Sequence, residues 1–122
     1  MDALHQRFRA ALGSDAQLDL PTRRVDLAAG RSLYERNCAS CHGLTGLGDG
    51  PAAKGMEPAP PAIGRHDAVA DVSPGLMYRI VAVGINGTPM AGWASVLSAD
   101  ERWDVVSYVN TLRGRERAAQ GE

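Results

Sequence analysis

Cys38 and Cys41 stand three positions apart and His42 follows the second directly, giving one Cys-Ala-Ser-Cys-His run; these are the chain's two cysteines. Two thiols one helical turn apart, with an imidazole beside the second, form the pattern of c-type haem attachment. The thiols add across the two vinyl groups on one porphyrin edge, which leaves the histidine beneath the iron as its proximal ligand. Other chemistries fit less well. A disulfide between residues three apart on a helix is strained and closes too short a loop to stabilise much. A thioredoxin-like redox pair belongs in a βαβ context, which the sequence does not show. Zinc needs four ligands, and beyond these three only His5, His66 and scattered carboxylates remain, at no recognisable spacing.

An iron held by one histidine needs a group on its other face, and Met56, Met77, Met90, His5 and His66 are the candidates. Met77 falls within an expected helix, where methionine packs into a core. Met56 lies in a loop on the attachment side, and His66, between Arg65 and Asp67, reads as a solvated loop residue. Met90 sits in the turn Gly84-Ile-Asn-Gly-Thr-Pro-Met-Ala-Gly-Trp93, where Pro89 and the glycines let backbone approach a porphyrin face. Met90 is the favoured distal ligand.

Helices and loops must position these groups. An Asp26 N-cap opens a helix through the motif, with Leu27, Gly30, Tyr34 and Cys38 on one face. Residues 43–65 hold six glycines and four prolines, so they form a long loop. Ser73-Pro74 starts a helix that closes at Gly84. Ser98-Ala-Asp-Glu101 is a capping box, followed by the stripe Val105, Tyr108, Val109 and Leu112. That helix is expected to end near Arg113-Gly114.

The 122 residues fit one domain, and a 44% apolar fraction rules out wholesale disorder. A net charge of −1 argues against a nucleic-acid partner. No apolar run reaches the roughly 18 to 20 residues of a membrane-spanning helix. Only six aromatic side chains stand beside 14 glycines and 7 prolines. So thin a core calls for a staple.

Together, Gly30-x-x-x-Tyr34, Cys38-Ala-Ser-Cys-His42, Gly87-Thr-Pro-Met90-Ala-Gly-Trp93 and the Trp103/Tyr108 helix resemble the small, single-haem bacterial cytochromes c over residues 26–113. The resemblance implies an all-α cytochrome c fold, with three to five helices around one covalently bound haem c and the N- and C-terminal helices crossing. It matches Cys38 and Cys41 to the thioether cysteines, His42 to the proximal ligand and Met90 to the distal ligand. It also implies a loop proline whose carbonyl accepts the proximal histidine's ring N–H. Pro61 is preferred for that role, with Pro51 the alternative. Thr88, Asn86 and Trp93 are candidates for bonding a propionate or a nearby water, and Tyr78 and Arg79 for touching the haem.

Both axial positions filled leave no open site, so a non-enzymatic one-electron carrier is expected, passing electrons between redox partners in a respiratory or related chain. The alternative is a haem enzyme or gas sensor with a labile Met90; a third possibility is a module in which haem is only a staple. Twelve of the 13 basic residues are arginine, scattered among acids, which predicts a transient docking patch that is mainly apolar and weakly charged. The resemblance implies attachment outside the cytoplasm, on the periplasmic side in bacteria. MDALHQRFRAALGSD lacks the apolar stretch of an export signal. A removed signal, or excision from a longer, fused or membrane-anchored oxidoreductase, is therefore expected. Residues 1–25, with a stripe of Leu4, Phe8, Ala11 and Leu12, are assigned as an N-terminal extension or linker, and 114–122 as a solvated tail.

Overall fold

A computed structural model describes residues 21–65 and 72–119. Among these residues there is no strand. Four helices follow one another: α1 (Leu27–Asn37), α2 (Ala39–His42), α3 (Pro74–Val83) and α4 (Ala99–Ala119), with a 3-10 turn at Pro51–Ala53 inside the long loop. No helix among the described residues is long and apolar enough to cross a membrane. His5, His66 and the stripe from Leu4 to Leu12 lie outside the described residues.

The Asp26 carboxylate accepts the Ala29 N–H at 3.0 Å and so satisfies a free amide at the start of α1. The helix does not run through the motif. It stops at Asn37, and Cys38 forms the joint to α2, its own N–H still donating to the Tyr34 carbonyl at 2.8 Å. The inward face also differs from the expected one. Gly30, Leu33 and Tyr34 are buried, whereas Leu27, a turn before the point of contact, is 47% exposed.

That contact is the crossing of α1 and α4. A Cβ built on Gly30 would lie 2.1 Å from the Asp104 carbonyl oxygen and 3.2 Å from the Tyr108 Cβ, so backbone meets backbone there. One turn on, the Tyr34 and Tyr108 rings sit 5.6 Å apart. Asp104, buried within α4, accepts both Arg23 guanidinium nitrogens (3.2 and 2.7 Å) and the Asp26 N–H (2.9 Å). The Thr22 N–H donates to Asp100 at 2.8 Å. Packing on α4 therefore reaches back to Thr22.

At α3, Ser73 Oγ accepts the Leu76 N–H at 3.1 Å with Pro74 at the first position. Gly84 closes the helix at φ 73°, its N–H donating to the Ile80 carbonyl. At α4, Ser98 and Glu101 exchange side-chain-to-backbone bonds of 2.8 and 3.1 Å. Val105, Tyr108, Val109 and Leu112 are all buried. Their helix passes the expected stop at Gly114 and runs to Ala119, so the first residues assigned to a tail are helical. Nothing lies within 4 Å of a Gly114 Cβ, so no packing enforces a break. Good helix formers on both sides outweigh the cost of about 1 kcal/mol for one glycine.

Two outcomes follow for stability. Gly30→Val should destabilise the folded protein by about 3 kcal/mol in chemical denaturation, because the obstructing atoms are backbone. Tyr34→Phe should cost about 1–2 kcal/mol, since the Gly43 carbonyl loses the buried hydroxyl that bonds it at 2.6 Å.

Candidate functional site

The motif is wound as one turn. The Cys38 carbonyl accepts N–H groups from Cys41 (3.3 Å) and His42 (2.9 Å), and the Ala39 carbonyl accepts that of Gly43 (2.8 Å). The winding brings both thiols and the imidazole to one cavity wall. Burial, and secondarily the neighbouring Cys41, pushes the Cys38 thiol up to about 11, so the unreacted side chain is a neutral thiol at pH 7.

The loop after the motif carries His42's partner. The Gly48 N–H donates to the His42 carbonyl at 2.8 Å, and the Gly64 N–H donates to the Gly46 carbonyl at 2.7 Å. The first bond folds the loop back on the motif and the second ties it to residues 60–64, where the Pro61 carbonyl lies 3.2 Å from His42 Nδ1. A carbonyl only accepts, so Nδ1 carries the proton and Nε2 keeps its lone pair. Burial lowers the His42 pKa against the opposing effect of this hydrogen bond, which favours the neutral, ligating form.

Met90 lies beyond the end of α3, in a loop folded back on that helix. The Ile85 N–H donates to the Met90 carbonyl (3.2 Å) and the Trp93 N–H to the Val81 carbonyl (2.8 Å). Between this loop and the motif lies a cavity of about 270 Å³, with Cys38, Cys41, His42, Met90, Thr88 and Trp93 among its lining. A second, of about 70 Å³, reaches inward among Met77, Ile80, Val81, Val105, Val106 and Val109. Cys38, His42, Pro61 and Met90 line both. No lining residue has a carboxylate, ammonium or guanidinium.

These residues fit a haem. Two thiols, an imidazole with a free nitrogen and a thioether line one cavity, and its apolar lining suits a flat apolar ring. Among the described residues no cluster of three or more His, Cys, Asp or Glu offers a different metal a site.

Several other candidates lie elsewhere. Asn86 is exposed at the loop tip and does not line the cavity. Tyr78 is fully buried, accepts a bond from Arg102 (2.9 Å) and stacks on Trp103 with centroids 4.3 Å apart. It belongs to the α3–α4 packing, and neither it nor Arg79 lines either cavity, because their side of α3 turns away from both. Thr88 lines the cavity, but its hydroxyl proton goes to the Ile85 carbonyl at 2.8 Å, so a propionate cannot receive it without breaking that bond. Ile85, Val81 and Val106 also line the cavities, and of these only Val106 lies on α4, beside the apolar stripe read from the sequence.

Residues 25–109 match the family described as cytochrome c oxidase, cbb3-type, subunit III. The chain is 30% identical over 98 residues to the cytochrome bc1 complex cytochrome c subunit of Corynebacterium diphtheriae, covering 80% of this chain and 30% of that one. It also superposes with a TM-score of 0.68 and 35% identity on a chain of the reducing HAO-like protein complex of Kuenenia stuttgartiensis, covering 79% of this chain and 48% of that one. It thus spans less than half the length of either relative. The family match over most of the chain, on an all-helical fold with this cavity, makes the protein a member of the cytochrome c family, the haem proteins of electron transfer.

Proposed function

We propose that Cys38 and Cys41 hold one haem c covalently, that His42 and Met90 occupy its axial positions, and that the domain passes single electrons between partner proteins outside the cytoplasm. The observation that carries this is that Cys38, His42 and Met90 line both cavities. Bound there, the haem supplies a one-electron Fe(III)/Fe(II) couple.

Cys38 and Cys41 would hold the haem through thioether bonds, each thiol adding its sulfur and its hydrogen across one vinyl group, so attachment would consume no oxidant. His42 presents Nε2 because Pro61 holds the proton on Nδ1. Met90 offers a weak sulfur donor, which favours Fe(II) and gives a higher potential than a second histidine would. The lining places no carboxylate, ammonium or guanidinium beside the haem that these residues would hold. With His42 and Met90 both holding the iron, the chain would leave no position for a substrate.

The two relatives belong to multi-protein complexes and are longer than this chain, which supports placing the domain as an electron-transfer piece of an oxidoreductase assembly. Leu44 and Leu47 are 65% and 45% exposed in the loop that leaves His42, which supports an apolar docking patch beside the attachment site.

The ferric protein should show the weak sulfur-to-iron band near ~695 nm, and Met90→Ala should abolish it and let the reduced protein bind CO rapidly. A wild-type protein without the band, or one that binds CO rapidly itself, would remove Met90 from the axial position. Electron-transfer rates with a partner should change less than about threefold between roughly 0.02 and 0.2 M ionic strength. A steep decline would replace the apolar patch with a charged one.

A further inference from the structure

We infer that Thr88 is the positioning residue for Met90, and that its hydroxyl sets how rarely the Met90 sulfur leaves the iron. The inference rests on Met90 being the distal ligand.

Thr88 Oγ1 donates to the Ile85 carbonyl at 2.8 Å and accepts the Met90 N–H at 3.1 Å. The Ile85 N–H donates to the Met90 carbonyl at 3.2 Å. Residues 85–90 thereby close into a ring, with one hydroxyl as the side-chain link between its start and the ligand. The two flanks of Met90 are held differently. On the C-terminal side, backbone does the holding: Trp93 and Ala94 N–H groups donate to the Val81 and Ala82 carbonyls at 2.8 and 3.1 Å. A Cβ on Gly92 would lie 2.7 Å from the Val83 carbonyl carbon, and one on Gly84 would lie 2.7 Å from the Met90 oxygen. On the N-terminal side the Met90 amide depends on Thr88.

Removing the hydroxyl leaves the half-buried Met90 N–H without its acceptor, while the Ile85 carbonyl keeps the Thr88 N–H at 3.2 Å. The loss therefore falls on the ligand's own backbone. A loop that moves more often carries the thioether off the iron more often, because sulfur is a weak donor and stays bound only while the chain presents it. One hydroxyl then biases the domain toward a closed electron carrier and away from an iron that admits small molecules.

The test mixes ferric holoprotein with saturating imidazole and follows loss of the sulfur-to-iron band, whose rate is limited by Met90 departure. Thr88→Val should speed it about tenfold, the scale of one lost hydrogen bond, and Thr88→Ser should stay within about twofold of wild type. Equal rates in wild type and Thr88→Val would overturn the inference. So would an unchanged rate accompanied by an altered pH dependence of the reduction potential, which marks a hydroxyl serving a propionate. Should Thr88→Val fail to fold, amide exchange in the wild type decides. The Met90 N–H must be protected well beyond that of exposed Asn86, and exchange at the Asn86 rate would overturn the inference. A wild type lacking the sulfur band fails differently, since it removes Met90 as ligand altogether.

Discussion

The arrangement depends on the contact of α1 and α4 at Gly30, where a single added carbon would lie within 2.1 Å of the Asp104 carbonyl oxygen. Two further α1 turns lead to Cys38, while α4 sends Val105, Val106 and Val109 to the inner cavity. The separation of the thiols from the opposite wall is therefore fixed where no side chain can intervene. Asp104 reinforces the same point from the other side, gathering Arg23 and the Asp26 amide. Tyr34 extends the restraint through its hydroxyl to Gly43, just past His42. A chain with so few aromatics gains rigidity here from close backbone approach and buried hydrogen bonds.

That frame surrounds an apolar space that the protein's own side chains leave open. The two walls that carry His42 and Met90 are built unequally. His42 belongs to a turn wound on the Cys38 carbonyl and has its ring oriented by Pro61. Met90 belongs to a loop hung on the end of α3, anchored by backbone on one flank and by a threonine hydroxyl on the other. In the proposed site His42 would thus be held by the local winding of the motif and Met90 by loop hydrogen bonds, which would make Met90 the adjustable ligand.

Much of this was legible because it is local. The Cys-x-x-Cys-His run, the Asp26, Ser73 and Ser98 caps, the Gly84 stop and the α4 stripe are each set within a few residues, and each stands where the sequence put it. What escaped depends on facing and on long-range partners. Tyr78 and Arg79 have the same helical neighbours as Met77 and Ile80, and only the docking of α3 decides which side faces the cavity. Arg23 finds Asp104 across 81 residues. Thr88 is adjacent to the site, but the direction of its hydroxyl proton is settled by the loop's closure. The α4 terminus is not legible at Gly114 because a glycine stops a helix only where its surroundings require it, and nothing packs against this one.

A spectroelectrochemical titration of the matured wild-type protein bears most directly on the proposal that Cys38 and Cys41 hold one haem ligated by His42 and Met90. The haem spectrum should follow one reversible, one-electron curve, with the sulfur-to-iron band vanishing in step with reduction. An irreversible change, a second wave, or a curve along which the band never appears would contradict a single haem closed on both faces by this chain.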